Sequence, residues 1–163
     1  RLGVRYSILS RQVSGGEETG DILVGKSDLH AISLTAEDVP SMIDELPLIA
    51  LLCAFAEGES RISGAGELRV KESDRIRTSA EMIAALGGIC IETEDGFVIR
   101  GKKKLRGGEV DSYLDHRIAM TAAVGLIASE RGGSIRGAEC CAVSFPGFFR
   151  MLEGGGRAQG GEA

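Results

Sequence analysis

Several features that mark common functional classes are missing from this sequence, and each absence argues against one class of protein. No apolar run reaches the roughly 18 uncharged residues that a membrane span requires, so we expect no membrane partner. Lys and Arg (19) are fewer than Asp and Glu (24), and the formal net charge is −5. Such an acidic balance argues against a nucleic-acid-binding surface. The first residues have no charged-then-apolar signal pattern, and we expect a cytoplasmic protein.

Cysteine is present, but without the spacing of a metal or redox motif. The four cysteines, Cys53, Cys90, Cys140 and Cys141, include no Cys-x-x-Cys pair, which argues against a zinc or dithiol site. Cys53 and Cys90 fall at apolar positions of a predicted helix and strand, so we expect buried thiols. Adjacent Cys140 and Cys141 are poorly placed to bridge each other. This usage fits a reducing compartment.

A pattern of elements occurs twice along the 163 residues, about 75 residues apart. In each copy a predicted hairpin is followed by a further strand, a helix and a closing strand, and the glycines of Gly25-Lys26 and Gly101-Lys102 mark matching strand ends. The predicted second helices run from Asp44 to about residue 57 and from Asp115 to about residue 129. The longest apolar run, from Leu46 to Ala56, indicates a buried helix there.

The predicted fold is therefore α/β (α+β), built from repeated βαβαββ units. One unit is full, the first lacks its opening helix, and the third stops after its opening helix, at residues 144–152. Units of this kind pack their helices into a common interior with the sheets outside, so partial copies leave a helix face uncovered. We expect one domain over residues 1–152 and a disordered, glycine-rich tail over residues 153–163.

The most charged stretch runs from Arg69 to Arg77 and holds four cations and two carboxylates. An apolar helical pattern follows it, formed by Ile76, Ala80, Ile83, Ala84 and Leu86, and Gly87-Gly88 ends that helix. The stretch thus lies at a helix N-terminus, where free N–H groups and the helix dipole attract anions. A solvated, charged helix start is the alternative.

Three predicted helices begin with charged residues, at Asp44, at Glu72 and at Asp115-His116-Arg117. If the repeats pack with like orientation, these N-termini converge, and Lys71, Arg75 and Arg117 would form an anion site. The alternative is that Asp44 and Asp115 are only N-caps. We assign no site role to His30 or to the lysines at residues 102–104.

The charged motifs resemble a known family. Lys71 to Arg75, Leu114 to Met120, Met42 to Pro47, and Ser144-Phe145-Pro146 are similar, in family order, to the C-terminal part of 5-enolpyruvylshikimate-3-phosphate (EPSP) synthases, the 3-phosphoshikimate 1-carboxyvinyltransferases. The resemblance covers residues 1–152. It implies a two-domain fold, each domain a prism of three βαβαββ units, with the active site between the domains at helix N-termini.

The resemblance also implies a reaction. The family moves the enolpyruvyl group of phosphoenolpyruvate onto the 5-hydroxyl of shikimate 3-phosphate and releases phosphate, without metal or cofactor, in the shikimate pathway of aromatic amino-acid biosynthesis. Family chains are more than twice as long, so we expect a fragment that is inactive without an N-terminal half. We expect the whole enzyme to be a monomer, and we leave self-association of the fragment open.

Residue roles follow from the same resemblance. Asp44 would take the 5-hydroxyl proton, and Glu72 would protonate C3 of phosphoenolpyruvate and later remove that proton. Lys71 would lie at the junction of the substrates, Arg75 and Arg117 would hold phosphoenolpyruvate, and His116 would assist by hydrogen bonding. Two positions depart from members of the family: Val143 stands where some have Lys, and Glu67 where some have Asn.

Two other functions stay open. The first is the related UDP-N-acetylglucosamine enolpyruvyl transferase, which shares the fold. The second is a non-catalytic interaction module, whose uncovered hydrophobic face binds a partner or a second copy. A tight dimer that buries Phe145, Phe148 and Phe149 would favour the interaction module.

Overall fold

The computed structural model describes residues 1–154 and contains eight strands and four α-helices within them. The strands are β1 (Arg5–Ser14), β2 (Glu17–Gly25), β3 (Ser33–Leu34), β4 (Glu59–Ile62), β5 (Ile89–Thr93), β6 (Gly96–Arg100), β7 (Gly108–Asp111) and β8 (Gly133–Arg136). The helices are α1 (Leu46–Phe55), α2 (Arg75–Ala85), α3 (His116–Ala128) and α4 (Phe148–Gly154). None of the helices in this described part is long and apolar enough to cross a membrane.

The predicted repeat is visible in the order of the elements. Strands β3 and β4 pair in parallel around α1, and β7 and β8 pair in parallel around α3. A short 3₁₀ helix follows each parallel pair, at Gly66–Val70 and Ala138–Val143, and leads to α2 and α4 respectively. Gly3 and Gly87, which precede the two hairpins, both have positive φ, at +83° and +86°. The two units therefore have equivalent turns as well as equivalent strands.

The central sheet combines strands of both units. Its order is β3-β4-β6-β5, so the parallel pair of the first unit is extended by the β5–β6 hairpin of the second, and β6 runs antiparallel to β4. Strands β1 and β2 form a separate two-stranded sheet, and so do β7 and β8. Within residues 1–154, one sheet is complete and two are half-sheets.

The first hairpin is longer than the short strands that the sequence predicts. Strands β1 and β2 have 10 and 9 residues and pair from Arg5 with Gly25 to Ser14 with Glu17. The pairing continues to the tip because Gly15 and Gly16, both at positive φ, form a tight turn. Almost all of the hairpin is exposed.

The hydrophobic core lies between the central sheet and helices α1, α2 and α3. Helix α1 matches the buried helix predicted from the apolar run, and it buries Leu46, Leu51 and Cys53. Phe97 and Ile99 of β6 face it from the sheet, and neither has exposed surface. The core holds the start of each of the three helices in place, which positions the candidate site.

Two predicted helix starts are wrong by a few residues. Helix α2 begins at Arg75 rather than Glu72, because the Asp74 carboxylate accepts a hydrogen bond from the Arg77 N–H and caps the helix there. Asp44 lies in a 3₁₀ turn, Ile43–Glu45, that precedes α1. The charged residues before α2 and α1 are therefore in connecting turns.

The predicted apolar face of α2 is correct at four of its five positions. Ile76, Ala80, Ile83 and Leu86 are buried, but Ala84 is exposed and Met82 is buried instead. The difference arises because α2 packs against both α1 and β5, so its buried surface is turned from the face that the spacing alone predicts.

The segment predicted to be a disordered tail, residues 153–163, is described only at its start. Helix α4 continues to Gly154, two residues beyond the predicted boundary. Residues 155–163 lie outside the described part of the chain.

Candidate active site

The N-terminal ends of α1, α2 and α3 meet at one end of the domain. Arg75 is the first residue of α2, Asp115 precedes α3, and Asp44 lies in the turn before α1. Arg75 donates from Nη1 to Asp44 Oδ1 at 3.0 Å and from Nε to Asp115 Oδ2 at 2.9 Å. The convergence predicted from the repeat is therefore present, and Arg75 is at its centre.

Arg75 is buried among carboxylates. Its side chain is 1% exposed, and its Nη2 also donates to Glu72 Oε2 at 2.6 Å. One planar guanidinium thus holds Asp44, Glu72 and Asp115 in a fixed geometry, with separate N–H groups directed at each carboxylate. In this arrangement Arg75 can contact a substrate only if Asp44 or Glu72 moves away from it.

Asp115 is the fully buried member of the cluster. Besides Arg75, it accepts hydrogen bonds from Ser73 Oγ and from the Arg117 N–H, both at 2.9 Å. Burial alone would raise the pKa of Asp115, but the bonds from Arg75 and Ser73 outweigh burial and keep this pKa below its ordinary value. Asp115 is therefore both the N-cap of α3 and the ion partner of Arg75. The interpretation of Asp115 as a cap and its interpretation as a member of the charged cluster are thus compatible.

Ser73 was not among the predicted site residues, and Asp115 was predicted to lie at a converging helix start without a role in the reaction. Ser73 lies within the charged motif, and its hydroxyl also contacts Thr78 Oγ1 at 3.1 Å. A buried charge needs hydrogen-bonding neighbours. The position of Ser73 inside a run of charged residues was therefore the sequence signal that its hydroxyl bonds to one of them. The sequence did not show which carboxylate Ser73 would contact, because Asp115 is 42 residues away.

The two more accessible cations are also paired with carboxylates. Lys71 Nζ lies 2.7 Å from Glu67 Oε1, and this bond raises the Lys71 pKa. Arg117 donates from Nη1 to Glu45 Oε1 and to the Asp44 carbonyl, both at 3.0 Å. In this structure both cations are held by acidic neighbours.

The charge balance of the cluster corrects one expectation from the sequence. Three cations, Lys71, Arg75 and Arg117, share it with five carboxylates, so its formal charge is negative. The cluster is not as rich in cations as the sequence predicts, because Glu45, Glu67 and Asp115 add carboxylates to it; its role in anion binding stays a prediction. The five carboxylates are Asp44, Glu45, Glu67, Glu72 and Asp115.

A small groove runs beside the cluster along the facing sides of α1 and α3. It has a volume of about 150 Å³, and Asp44, Glu45 and Arg117 form its polar end. Leu48, Met120 and Phe148 form part of its apolar wall. Asp44, Glu45 and Arg117 are therefore the members of the cluster that line this surface groove.

In the described part of the chain, His116 and Val143 make no hydrogen bond or ion pair with the side chains of the ion cluster. His116 is half-buried at the start of α3, and within residues 1–154 its imidazole makes no hydrogen bond; its carbonyl accepts a weak bond from Cys141 Sγ at 3.8 Å. Val143, at the position where some relatives carry Lys, is 89% exposed. His30 and the lysines at residues 102–104 are exposed on the surface.

The cysteines contribute no reactive thiol or metal ligand set to this site. All four are free, Cys53 is buried and Cys90 is half-buried. Burial raises the pKa of Cys53 and raises that of Cys90 to about 12, so both thiols stay protonated. In the described residues, no three His, Cys, Asp or Glu side chains are grouped as metal ligands.

Comparison with known proteins gives consistent matches over this region. The family model described as EPSP synthase (3-phosphoshikimate 1-carboxyvinyltransferase) matches residues 7–152. A 3-phosphoshikimate 1-carboxyvinyltransferase of a Sulfurihydrogenibium species is 45% identical over 152 residues, which is 93% of this chain and 35% of that protein. The enzyme of that name from Persephonella marina is 46% identical over 151 residues, or 92% of this chain and 34% of its own length.

Solved structures agree with the sequence matches. An EPSP synthase from Acinetobacter baumannii has a TM-score of 0.86 and 38% identity, covering 93% of this chain and 36% of that chain. The enolpyruvyl transferase NikO from Streptomyces tendae shares the fold, with a TM-score of 0.69 and 22% identity. The chain spans about a third of the length of the curated relatives that it matches. By sequence over residues 7–152 and by fold over nearly its whole length, this chain belongs to the EPSP synthase family.

Proposed function

We propose that this chain supplies part of the active site of a 3-phosphoshikimate 1-carboxyvinyltransferase. The reaction transfers the enolpyruvyl group of phosphoenolpyruvate to the 5-hydroxyl of shikimate 3-phosphate and releases phosphate. The observation that carries the proposal is that Arg75 contacts both Asp44 and Glu72 where the starts of three helices converge. These are the residues to which the family resemblance assigns proton transfer and substrate binding. The family match favours this reaction over that of a UDP-N-acetylglucosamine enolpyruvyl transferase.

Addition across the enol requires a base and an acid at different reacting atoms. Asp44 accepts the proton of the 5-hydroxyl as the hydroxyl oxygen bonds to C2 of phosphoenolpyruvate, and Glu72, in its carboxylic acid form, gives a proton to C3. In the second step Glu72 takes a proton back from C3, the C2–O bond to phosphate breaks, and the leaving phosphate takes up the proton held by Asp44. The partial exposure of both carboxylates supports these roles, because each can reach a bound substrate.

Arg75 has a second role in the proposal. It donates to Asp44 and Glu72 from its two Nη atoms, so it fixes the separation of the two carboxylates before substrate binds. When substrate enters, phosphoenolpyruvate competes with these carboxylates for Arg75, while Asp115 keeps the guanidinium in place through Nε. Release of Asp44 or Glu72 from Arg75 then leaves an oxygen of that carboxylate free to contact the substrate.

Both substrates are polyanions, and the cluster carries more carboxylates than cations. Lys71 and Arg117 are partly exposed and can exchange Glu67 and Glu45 for substrate oxygens. That exchange is favourable only if further positive charge faces the cluster, since like charges repel a polyanion. We propose that an N-terminal part of the enzyme, facing this end, supplies that charge. The isolated chain is then inactive, and phosphate release from both substrates by the chain alone would contradict this.

A chimeric enzyme tests the proposal. Residues 1–154 replace the matching third of the Acinetobacter baumannii EPSP synthase, and phosphate release is measured with both substrates. We expect activity above background, and we expect Asp44→Asn and Glu72→Gln each to lower it by about 100-fold or more, as loss of a general acid or base does.

The control for the chimera is Glu18→Gln, an exposed carboxylate in the first hairpin. It should leave the rate unchanged. A chimera that unfolds with the same cooperativity as the parent enzyme but releases no phosphate would overturn the proposal. Full activity of the Glu72→Gln chimera would overturn the assigned proton transfer.

A further inference from the structure

Two adjacent thiols, those of Cys140 and Cys141, lie in the 3₁₀ helix Ala138–Val143, which packs against α3. Cys141 is 2% exposed, and its Sγ donates to the His116 carbonyl at 3.8 Å. Cys140 is half-buried, and its Sγ donates to Ser112 Oγ at 3.9 Å. The two thiols are also within hydrogen-bonding reach of each other. A partly accessible sulfur atom and a buried one therefore meet beside the first turn of α3.

The backbone holds this pair in a fixed conformation. The Cys140 N–H donates to the Gly137 carbonyl at 3.3 Å, and the Cys141 carbonyl accepts from the Phe145 N–H at 2.8 Å. Gly137 has a φ of +73°, and a Cβ atom there would lie 2.6 Å from Ser112 Oγ. The 3₁₀ helix is thus fixed close to the loop that precedes α3. A ligand that binds both thiols meets a preorganised pair, which lowers the entropic cost of binding.

A direct disulfide does not fit two adjacent cysteines in this conformation. Cα atoms that are joined by a trans peptide bond are about 3.8 Å apart. Disulfide-bonded cysteines usually have Cα atoms about 4.4–6.8 Å apart. An atom inserted between the two sulfur atoms enlarges the ring and relieves this constraint. The pair is therefore suited to a single atom that bonds to both sulfurs.

The surroundings of the pair indicate the chemical class of that atom. Zinc takes three or four protein ligands, and among residues 1–154 no three His, Cys, Asp or Glu side chains are grouped as metal ligands. Burial raises the pKa of Cys141 to about 11, and the neighbouring Cys140 adds to this rise. A metal cation needs thiolates, which this environment disfavours. A neutral acid of trivalent arsenic needs only two thiols, because its own hydroxyl groups take up the thiol protons.

We infer that Cys140 and Cys141 together bind trivalent arsenic, supplied as arsenous acid. Two As–S bonds form and two As–O bonds break; each thiol proton leaves with one hydroxide as water, and arsenic keeps its third hydroxyl group. No atom is oxidised or reduced, so the step needs no further reactant. Cys140 reacts first because it has exposed surface, and Cys141 then closes the ring. Sulfur is the soft ligand that such an atom prefers.

Binding changes a contact at the start of α3. Once its sulfur is bonded to arsenic, Cys141 has no thiol proton to donate to the His116 carbonyl. His116 is the first residue of α3 and follows Asp115, the N-cap. The amide NMR signals of His116 and Arg117 should therefore shift when arsenite is added. Those of Gly15 at the tip of the first hairpin should stay in place, and a shift of similar size there would contradict a local site.

Native mass spectrometry of the reduced 163-residue chain, titrated with arsenite, tests the inference directly. We expect one arsenic atom per chain. Cys140→Ser and Cys141→Ser keep the size of the side chain and a hydrogen-bond donor, so both variants should fold, which circular dichroism checks. Each should bind arsenite about 100-fold or more weakly, because a single thiol loses the gain from two linked contacts.

The matched control is Cys90→Ser. Cys90 is half-buried like Cys140, and it lies near Cys53, so these two thiols are the other pair that could take arsenic. Cys53 has no exposed surface, so arsenic could bridge that pair only by opening the core, and the control should bind arsenite like the unchanged chain. No binding by the unchanged chain, loss of binding in Cys90→Ser, or full binding by either Cys140→Ser or Cys141→Ser would each overturn the inference.

Thermal unfolding separates a site of the folded chain from the reaction of adjacent cysteines in an unfolded peptide. A ligand that prefers the folded chain raises the midpoint of unfolding, and one that prefers the unfolded chain lowers it. We expect arsenite to raise the midpoint of the unchanged chain and to leave that of Cys140→Ser unchanged. A lower midpoint of the unchanged chain would show that the fold does not preorganise the two thiols, and would overturn the inference.

Discussion

The guanidinium of Arg75 donates to the carboxylate of Asp115 at 2.9 Å, and both side chains are buried. This pair joins the start of α2 to the cap of α3, and it anchors the Arg75 fork whose other N–H groups hold Asp44 and Glu72. This single buried ion pair thus connects the starts of α2 and α3. It also fixes the guanidinium that positions the two proposed proton-transfer groups.

Replacing Arg75 should cost far more stability than replacing Arg117. Arg75→Ala leaves Asp115 charged and buried without its partner, which we expect to lower the free energy of unfolding by about 3–5 kcal/mol. Arg117→Ala removes partly exposed ion pairs, which are worth about 1 kcal/mol or less. Urea unfolding followed by circular dichroism measures both. Equal losses in the two variants would show that the Arg75 pair is not a structural contact.

The low pKa of Asp115 predicts how stability depends on pH. Because the folded pKa lies below the ordinary value of 3.8, the unfolded chain binds this proton first as pH falls. The contribution of Asp115 to stability is therefore complete above its unfolded pKa and is lost as pH falls through the lower folded pKa. Asp115→Asn lacks this contribution, so its stability deficit should be constant near neutral pH and shrink in the acid range. A deficit that grows on acidification would contradict the assignment.

Gly125 allows α3 to pack closely on its neighbours. A Cβ atom there would lie 2.7 Å from Leu86 Cδ1 and 3.1 Å from Leu51 Cδ1. Gly125→Val should therefore overpack the core and lower the free energy of unfolding by about 1–3 kcal/mol. Ala128→Val, exposed near the end of the same helix, is the matched control and should have little effect. Thermal unfolding compares the two, and equal midpoints would mean that the core has room for the valine.

The sequence predicts the repeat, the buried α1 and the convergence of helix starts, because apolar spacing and turn glycines are local signals. It does not predict that Glu45 neutralises Arg117, because these residues are 72 positions apart and their contact depends on how two turns face one another. The pair of Glu67 with Lys71 has a local i, i+4 spacing that the sequence does contain. The boundary of α2 at Arg75 was missed for a local reason: Asp74, inside the charged run, is the cap. The long first hairpin was missed because its Gly15-Gly16 turn lies within a run of polar residues.

The pairing of Arg117 with Glu45 predicts a gain in anion binding when that carboxylate is neutralised. In the present structure Glu45 occupies Arg117 at 3.0 Å, so a phosphate or carboxylate must displace it. Glu45→Gln removes the competing charge, and we expect the affinity of the chain for phosphoenolpyruvate to rise by about two- to fivefold, the range of a partly exposed ion pair. Calorimetric or NMR titration at low salt measures this. Glu18→Gln makes the same change in net charge within the first hairpin and should leave the affinity unchanged. An equal gain in both variants would mean that net charge alone, and not the release of Arg117, controls anion binding at this end of the domain.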